Sequence, residues 1–330
     1  MNAFLADAAT RAWPDPVLVI TSPIMLAYDH GDHDDEPVRL EAAWAGIDDA
    51  ARAGIPLRRE AARPATRAEL ARVHRPDYLD TLESFTPDMP IRFGLGTRDC
   101  PYSPGVLRAA QYGAGAAAEA AALTLAACRT PQGVKPVAAT PHRAFCAVRP
   151  PGHHAHAAQA GGYCYINHAM VAAQTFLAQG AARVFILDLD FHHGDGTADL
   201  VTAEPRCVYG SLHASPLIAY PGTGRAGEHP RLLHEPLSRR PQAAWREAVC
   251  RIIANAQDFS PEALVISLGT DCIAGDPVGD LGVSVEDFTG AVEDALAAFP
   301  GLPLVSILEG GYNVDNLRAA IRAHLIALAS

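Results

Sequence analysis

Apolar residues along the chain gather into short runs rich in Val and Ile: VLVITSP (17–23), FCAVRPPGHH (145–154), RVFILDLDFHH (183–193), CVYGSLHASP (207–216), LVISLGTD (264–271) and LVSILEGGY (304–312). Such runs match strands buried on both faces of a parallel sheet. Between and after them, stretches 106–128, 165–179, 242–257, 286–299 and 313–329 read as helices. The Ala-rich segment 109–127 belongs to this set, built of small helix formers. Strands alternating with helices predict βαβ units: an α/β fold with a single open, mostly parallel sheet flanked by helices.

Four of the runs end in a polar cluster containing glycine: PPGHH, DLDFHHGDG, GTDCIAGDP and EGGYN. In open α/β sheets, ligands sit beyond the carboxyl ends of the strands. Four segments therefore deliver His, Asp, Glu and Tyr to one edge of one sheet. Buried charges without a partner or a metal are costly, so the passage from FIL to DLDFHHGDG marks where the chain leaves the core for a site.

Strand alternation puts Asp188, Asp190 and His192 on one face. Asp190 and His192 can then reach a common ion, with Asp271 as the third ligand. Oxygen and nitrogen donors without thiolate suit zinc, and also iron, manganese or cobalt. A polar strand end held by an Asp–His hydrogen bond is the plainer alternative. His153 and His154 follow an irregular Arg-Pro-Pro-Gly turn, which presents side chains instead of packing them. Paired imidazoles beside a water can move protons near neutral pH. Each needs a carboxylate to fix its tautomer, and Asp188 and Asp195 are left over for that task. Tyr312, after Glu309-Gly-Gly, can donate to a developing oxyanion, although a Tyr in that setting more often packs. Together these groups would hydrolyse an amide without a covalent enzyme intermediate, on a water whose pKa the metal lowers toward about 7.

Composition narrows the field. With 49% hydrophobic and 19% charged residues, the 330-residue chain supports an ordinary core. No linker, repeat or low-complexity run divides it, so one catalytic domain over 1–330 is expected. No stretch approaches the roughly 20 apolar residues of a membrane span, and MNAFLADAATRAWPDP lacks a signal peptide's apolar core. Seven cysteines without a CxxC pair point to reduced thiols in a cytoplasm. The net charge of −11 argues against nucleic acid and suits a cationic partner, though it also serves solubility. The acidic stretch YDHGDHDDE (28–36) has the look of a solvated loop near the mouth of the site, and reads more simply as an incidental surface charge run.

The segments RPPGHHAHAAQAGGYCYINHA, ILDLDFHHGDG, YGSLHASP, YPGTG, ISLGTDCIAGDP and LEGGYN, in this order and spacing, resemble the zinc-dependent histone deacetylase family, which includes bacterial acetylpolyamine amidohydrolases. The resemblance covers roughly residues 20 to 325 and implies the arginase-like open α/β fold. It implies Asp190, His192 and Asp271 as ligands of zinc, with iron or cobalt as substitutes. It implies His153 and His154 as the catalytic pair, backed by Asp188 and Asp195 respectively, the second histidine as general base and Tyr312 as oxyanion donor. A structural potassium is implied too, held by Asp188, Asp190, Ser211 and the backbone oxygens of His192 and Leu212. Gly162, Tyr163 and Tyr220 match the walls of the family's acyl-lysine channel, both tyrosines standing where Phe is commonest. Asp99 matches a rim acid that grips peptide amides, and Val278 stands where some polyamine-selective relatives carry an acid. These last two features favour acetyl-lysine in peptides or proteins as substrate, with acetylpolyamines and other small acetylated amines as the alternative. The oligomeric state stays open.

Two rivals come from other classes. A binuclear ureohydrolase needs a second Asp-x-Asp ligand set, but Cys272 and Ile273 follow Asp271. A non-hydrolytic acyl-lysine binding protein would have lost a ligand, a histidine or Tyr312, and all are present.

Overall fold

The computed structural model describes residues 15–85, 99–129, 142–238 and 242–330. Among them, eight strands form one sheet: β1 (Val17–Thr21), β2 (Leu57–Ala61), β3 (Arg143–Cys146), β4 (Val184–Asp188), β5 (Cys207–Ala214), β6 (Leu232–Leu237), β7 (Ala263–Leu268) and β8 (Leu304–Leu308). Their order is β2-β1-β3-β8-β7-β4-β5-β6, and every pairing is parallel. The six apolar runs supply β1, β3, β4, β5, β7 and β8. The two strands that the pattern does not announce, β2 (LRREA) and β6 (LLHEPL), are the edges of the sheet. An edge strand buries only part of its surface and tolerates charge and proline.

Every residue of β4, β5, β7 and β8 is buried, so helices must cover both faces. Fully burying each Val, Ile or Leu stabilises the fold by roughly 1.5–3 kcal/mol. The helices are α1 (Pro37–Arg52), α2 (Arg67–Leu70), α3 (Pro76–Ser84), α4 (Val106–Cys128), α5 (His168–Ala178), α6 (Asp195–Ala203), α7 (Gln242–Asp258), α8 (Val285–Ala298) and α9 (Val314–Leu328). α4 packs on α5, α9 on α1 and α8, and α8 on α7. The alanines of α4 serve this packing, since Ala109, Ala110, Ala114 and Ala117 are fully buried. None of the described helices is long and apolar enough to cross a membrane. No disulfide joins the seven cysteines.

Strand order decides where the chemistry gathers. β3, β8, β7 and β4 are consecutive neighbours, so the polar clusters that follow them open side by side at one edge. One expectation needs correcting. β4 stops at Asp188, and Asp190 and His192 lie in the loop before α6, so strand alternation does not bring them together. Instead Asp188 Oδ1 accepts from the Asp190 amide at 3.1 Å, and Asp190 Oδ1 accepts from the His192 amide at 2.8 Å. Two successive Asx turns curl the loop so that alternate side chains still face one point.

Candidate active site

A pocket of about 220 Å³ opens at this edge, with His153, His154, Asp190, His192 and Tyr312 toward its floor. One potential ligand atom from each of Asp190, His192 and Asp271 lies within 4.8 Å of the others. His192 Nδ1 is the meeting point, 3.2 Å from Asp190 Oδ1 and 3.1 Å from Asp271 Oδ2. Asp190 Oδ2 also accepts the Gly310 amide at 2.8 Å, and Asp271 Oδ1 accepts the Phe191 amide at 2.9 Å. Asp271 Oδ2 is buried and accepts no well-aligned hydrogen bond, although His192 Nδ1 lies 3.1 Å away. A Cβ on Gly310 would lie 2.5 Å from Asp271 Oδ2 and 2.6 Å from Asp190 Oδ2, so only glycine lets the turn come this close.

The electrostatics of this cluster call for a cation. Burial and the Asp190 charge push Asp271 up to about 7. At Asp190 burial opposes ionisation, but the charges of His153 and His192 outweigh it and hold the carboxyl below its usual range. His192 is resisted by burial yet pushed up to about 10 by the carboxylates of Asp190 and Asp271 beside it. Two buried carboxylates facing one imidazole nitrogen, one with an orphaned oxygen, suit a divalent ion better than a shared proton. The donor set, two carboxylates and one imidazole without thiolate, fits zinc and its neighbours.

The two histidines occupy adjacent, unlike settings. Their rings are 4.0 Å apart. His153 Nδ1 is 3.0 Å from Asp188 Oδ2, and His154 Nδ1 is 2.7 Å from Asp195 Oδ1, the pairing that the resemblance implies. Burial opposes the charged form of His153, but Asp190 and Asp188 outweigh it and raise its pKa well above the usual value. Burial and the neighbouring His153 charge lower His154, against the pull of Asp195. Asp195 opens α6, where the helix N-terminus favours negative charge. Tyr312 reaches the same floor, and burial raises its phenol well above its usual value, so it stays a donor.

The other expected residues line the walls: Asp99, Gly162, Tyr163, Tyr220 and Val278. Tyr220 sets its ring edge-on to His154 at 5.0 Å, and Tyr163 meets Tyr312 at 6.1 Å. Asp99 Oδ2 accepts the Gly162 amide at 3.1 Å, which ties the rim to the wall. Ser211 stands in register with Asp188 and, with Leu212, lies buried on β5 outside the pocket lining.

The 28–36 stretch is a surface charge run only in part: Asp29, Asp32, Asp34 and Glu36 are exposed, as expected, but Asp35 is not. Asp35 is buried and pairs with Arg39 at 2.7 Å and Arg149 at 3.2 Å, while the Tyr28 hydroxyl donates to it at 2.5 Å. Two buried guanidinium groups give that carboxylate the compensation burial requires. Asp34 beside it accepts from the Tyr163 hydroxyl at 3.0 Å, which brings the stretch to the pocket wall. The Asp35–Arg39 spacing of four was the available signal.

Other contributors were given no role of their own in the sequence reading. Glu309 accepts the Gly152 amide at 2.7 Å, the His153 amide at 3.1 Å and the Ser267 hydroxyl at 3.0 Å. Burial pushes this carboxyl up to about 7. Arg39 donates to the carbonyls of Gly311 at 2.7 Å and Glu309 at 2.6 Å, its guanidinium 4.7 Å from the centre of the Tyr312 ring. His156 reaches the second oxygen of Asp195 at 3.3 Å. The Tyr209 hydroxyl donates to Asp188 at 2.6 Å.

A family model described as "Histone deacetylase domain" matches residues 33–328 of the chain. The chain belongs to the histone deacetylase family. Within that family it is 37% identical to the acetylpolyamine amidohydrolase of Mycoplana ramosa over 189 residues, 55% of each protein. It is 32% identical to histone deacetylase 15 of Arabidopsis thaliana over 310 residues, 88% of this chain and 52% of that protein. The chain spans about half the length of the curated relatives it matches. In three dimensions it resembles the HD domain of HDA15 with a TM-score of 0.82 at 29% identity, over 94% of this chain and 90% of that one. An acetylpolyamine aminohydrolase from Burkholderia pseudomallei gives 0.80 at 26% identity, over 95% and 99%. This family member shares with both a single open, all-parallel sheet flanked by helices.

Proposed function

We propose that this histone deacetylase family member is a metal-dependent deacetylase whose substrates are small acetylated amines of the acetylpolyamine kind. One observation carries the reaction class: two carboxylate-backed histidines, pushed to opposite sides of their usual pKa, line one pocket beside the Asp190–His192–Asp271 cluster. Paired titratable groups whose settings drive them apart are the mark of divided acid and base roles. The relatives named acetylpolyamine amidohydrolases support the small-amine substrate over the peptide.

Zinc, or iron or cobalt in its place, held by Asp190, His192 and Asp271 would supply an activated water and polarise the acetyl carbonyl. His154 is kept neutral by burial and by His153, and donates from Nδ1 to Asp195, so its Nε2 is the free acceptor for the water's proton. His153 stays protonated beside Asp188 and Asp190, contributes positive charge to the oxyanion, and with His154 serves proton return to the leaving amine. The Tyr312 hydroxyl donates to the oxyanion. Gly162, Tyr163, Tyr220 and Val278 shape the channel, and a Cβ on Gly162 would lie 2.1 Å from His154 Cδ2. A structural potassium would be held by Asp188, Asp190, Ser211 and the carbonyls of His192 and Leu212.

A peptide substrate is the second reading, favoured by Asp99 at the rim and by the likeness to histone deacetylase 15. The deciding experiment measures kcat/KM of zinc-loaded protein on matched N-acetylated polyamine and acetyl-lysine peptide substrates, with Tyr312→Phe as control. Preference for the polyamine is expected. Preference for the peptide overturns the substrate assignment, and turnover that survives metal removal overturns the reaction class.

A further inference from the structure

We propose that Asp276 is a positioning residue that fastens the turn carrying Tyr312 to the pocket wall carrying Val278, so that oxyanion donor and wall are set as one unit. The inference rests on the reading of Tyr312 as oxyanion donor. Asp276 is 6% exposed and does not line the pocket. Its Oδ2 accepts the amides of Tyr312 at 2.7 Å and Asn313 at 2.9 Å. Its Oδ1 accepts the amides of Val278 at 3.0 Å and Gly279 at 3.1 Å. One buried carboxylate thus binds backbone donors from two chain segments, one at the end of β8 and one after β7. Charge-assisted bonds of this kind are the strong ones.

The surroundings make the clamp two-sided. Arg39 takes the carbonyls of Glu309 and Gly311 in the same turn. An anion therefore holds the N–H groups just where a cation holds the C=O groups, and the phenol between them has little freedom. The wall segment is fixed in turn, because a Cβ on Gly279 would lie 2.2 Å from the Asp271 carbonyl oxygen. Asparagine cannot replace this carboxylate. All four donors need an acceptor-only group, and whichever way a carboxamide turned, its NH₂ would face one pair of N–H groups.

The test uses the full, metal-loaded chain and four proteins: wild type, Asp276→Asn, Tyr312→Phe and the double variant. Asp276→Asn is expected to lower kcat by about 10²-fold, the scale of losing one oxyanion donor, with metal content unchanged and KM within about threefold. Added to Tyr312→Phe, it is expected to lower kcat by less than about threefold more, because both changes remove the same contribution. Hydrogen–deuterium exchange gives a readout apart from turnover: the segments around 278–279 and 312–313 should lose protection together. Wild-type kcat in Asp276→Asn, full multiplication of the two losses, or loss of metal would overturn the positioning role. If the Asn variant does not fold, Asp276→Glu keeps four acceptor sites but displaces them by a methylene, and wild-type kcat there overturns the role as well. An unimpaired Tyr312→Phe overturns the underlying reading of Tyr312, while coupled exchange still reports on the clamp.

Discussion

The floor and the rim of the pocket are built on opposite principles. At and beneath the floor Asp188, Asp190, Asp271 and Glu309 are at most 1% exposed, and their oxygens are answered by imidazoles, backbone amides or hydroxyls, save Asp271 Oδ2, which a cation would answer. At the rim Asp34 is exposed, Tyr220 is 40% exposed, and Asp99 and Tyr163 are half-buried. Buried charge survives only in a complete network, so each floor residue is tied to its neighbours and few substitutions are neutral. Exposed groups act one at a time in high dielectric. On the proposed reading, reaction class resides in the floor and substrate preference in the rim, and damage should fall steeply from one to the other.

The largest effect is expected at the ligand cluster. Asp190→Ala or His192→Ala should abolish both metal retention and turnover, because each removes a donor and leaves a buried carboxylate facing the gap. Metal analysis of purified protein checks this, and full occupancy in either variant would remove that residue from the set. Next come the histidines. Loss of general acid–base catalysis typically costs about 10²- to 10⁴-fold, and His154→Asn should fall in that range. The pH profile separates the pair. His154 must be neutral to act and its pKa is lowered, so kcat/KM should rise with pH through a value below the usual histidine range. His153 must stay protonated and its pKa is raised, so activity should fall again only above that range. Asp195→Asn, which removes a contact that raises His154, should move the acidic limb further down; a limb that stays put would unlink it from His154.

This gradient also explains what could be read in the sequence. The floor was legible because its residues follow apolar runs, and a polar cluster at the end of a buried strand has few reasons to exist other than a site. Strand alternation put Asp190 and His192 together as candidate ligands, yet Asx turns beyond the end of β4 are what place them. Asp35 was misread because its partners Arg39 and Arg149 come from separate segments, and four neighbouring acids made the stretch look solvated. Asp276 and Glu309 were assigned no role for a related reason: they act on backbone amides, and no side-chain pattern marks an amide as needing a partner. The edge strands β2 and β6 escaped because they bury too little to carry an apolar run.

Tyr312→Phe lies between floor and rim. It removes one hydroxyl from a residue whose ring remains wedged beside Arg39 and Tyr163, so substrate affinity should persist while kcat falls by about 10²- to 10³-fold. Equal losses in kcat and kcat/KM would identify an interaction made only in the transition state. A rise in KM alone would instead make Tyr312 part of the channel wall.

The smallest effects belong to the rim, and they bear on the substrate. Asp34→Asn keeps an oxygen that can accept from the Tyr163 hydroxyl, a 3.0 Å contact, but removes the charge. If the free ammonium groups of an acetylated polyamine pass this side of the mouth, KM for that substrate should rise by a few-fold, on the order of the 0–1 kcal/mol of an exposed ion pair. KM for an uncharged acetylated amine of the same length should not move, and kcat should hold for both. Salt gives the same answer independently. Exposed charges are screened beyond about 8 Å at physiological ionic strength, so added salt should raise KM for the cationic substrate in wild type and do so less in Asp34→Asn. A variant that raises KM equally for charged and uncharged substrates would show Asp34 supporting the Tyr163 wall by hydrogen bonding alone, and the floor-to-rim division would then be one of mechanics, with no role for rim charge in selection.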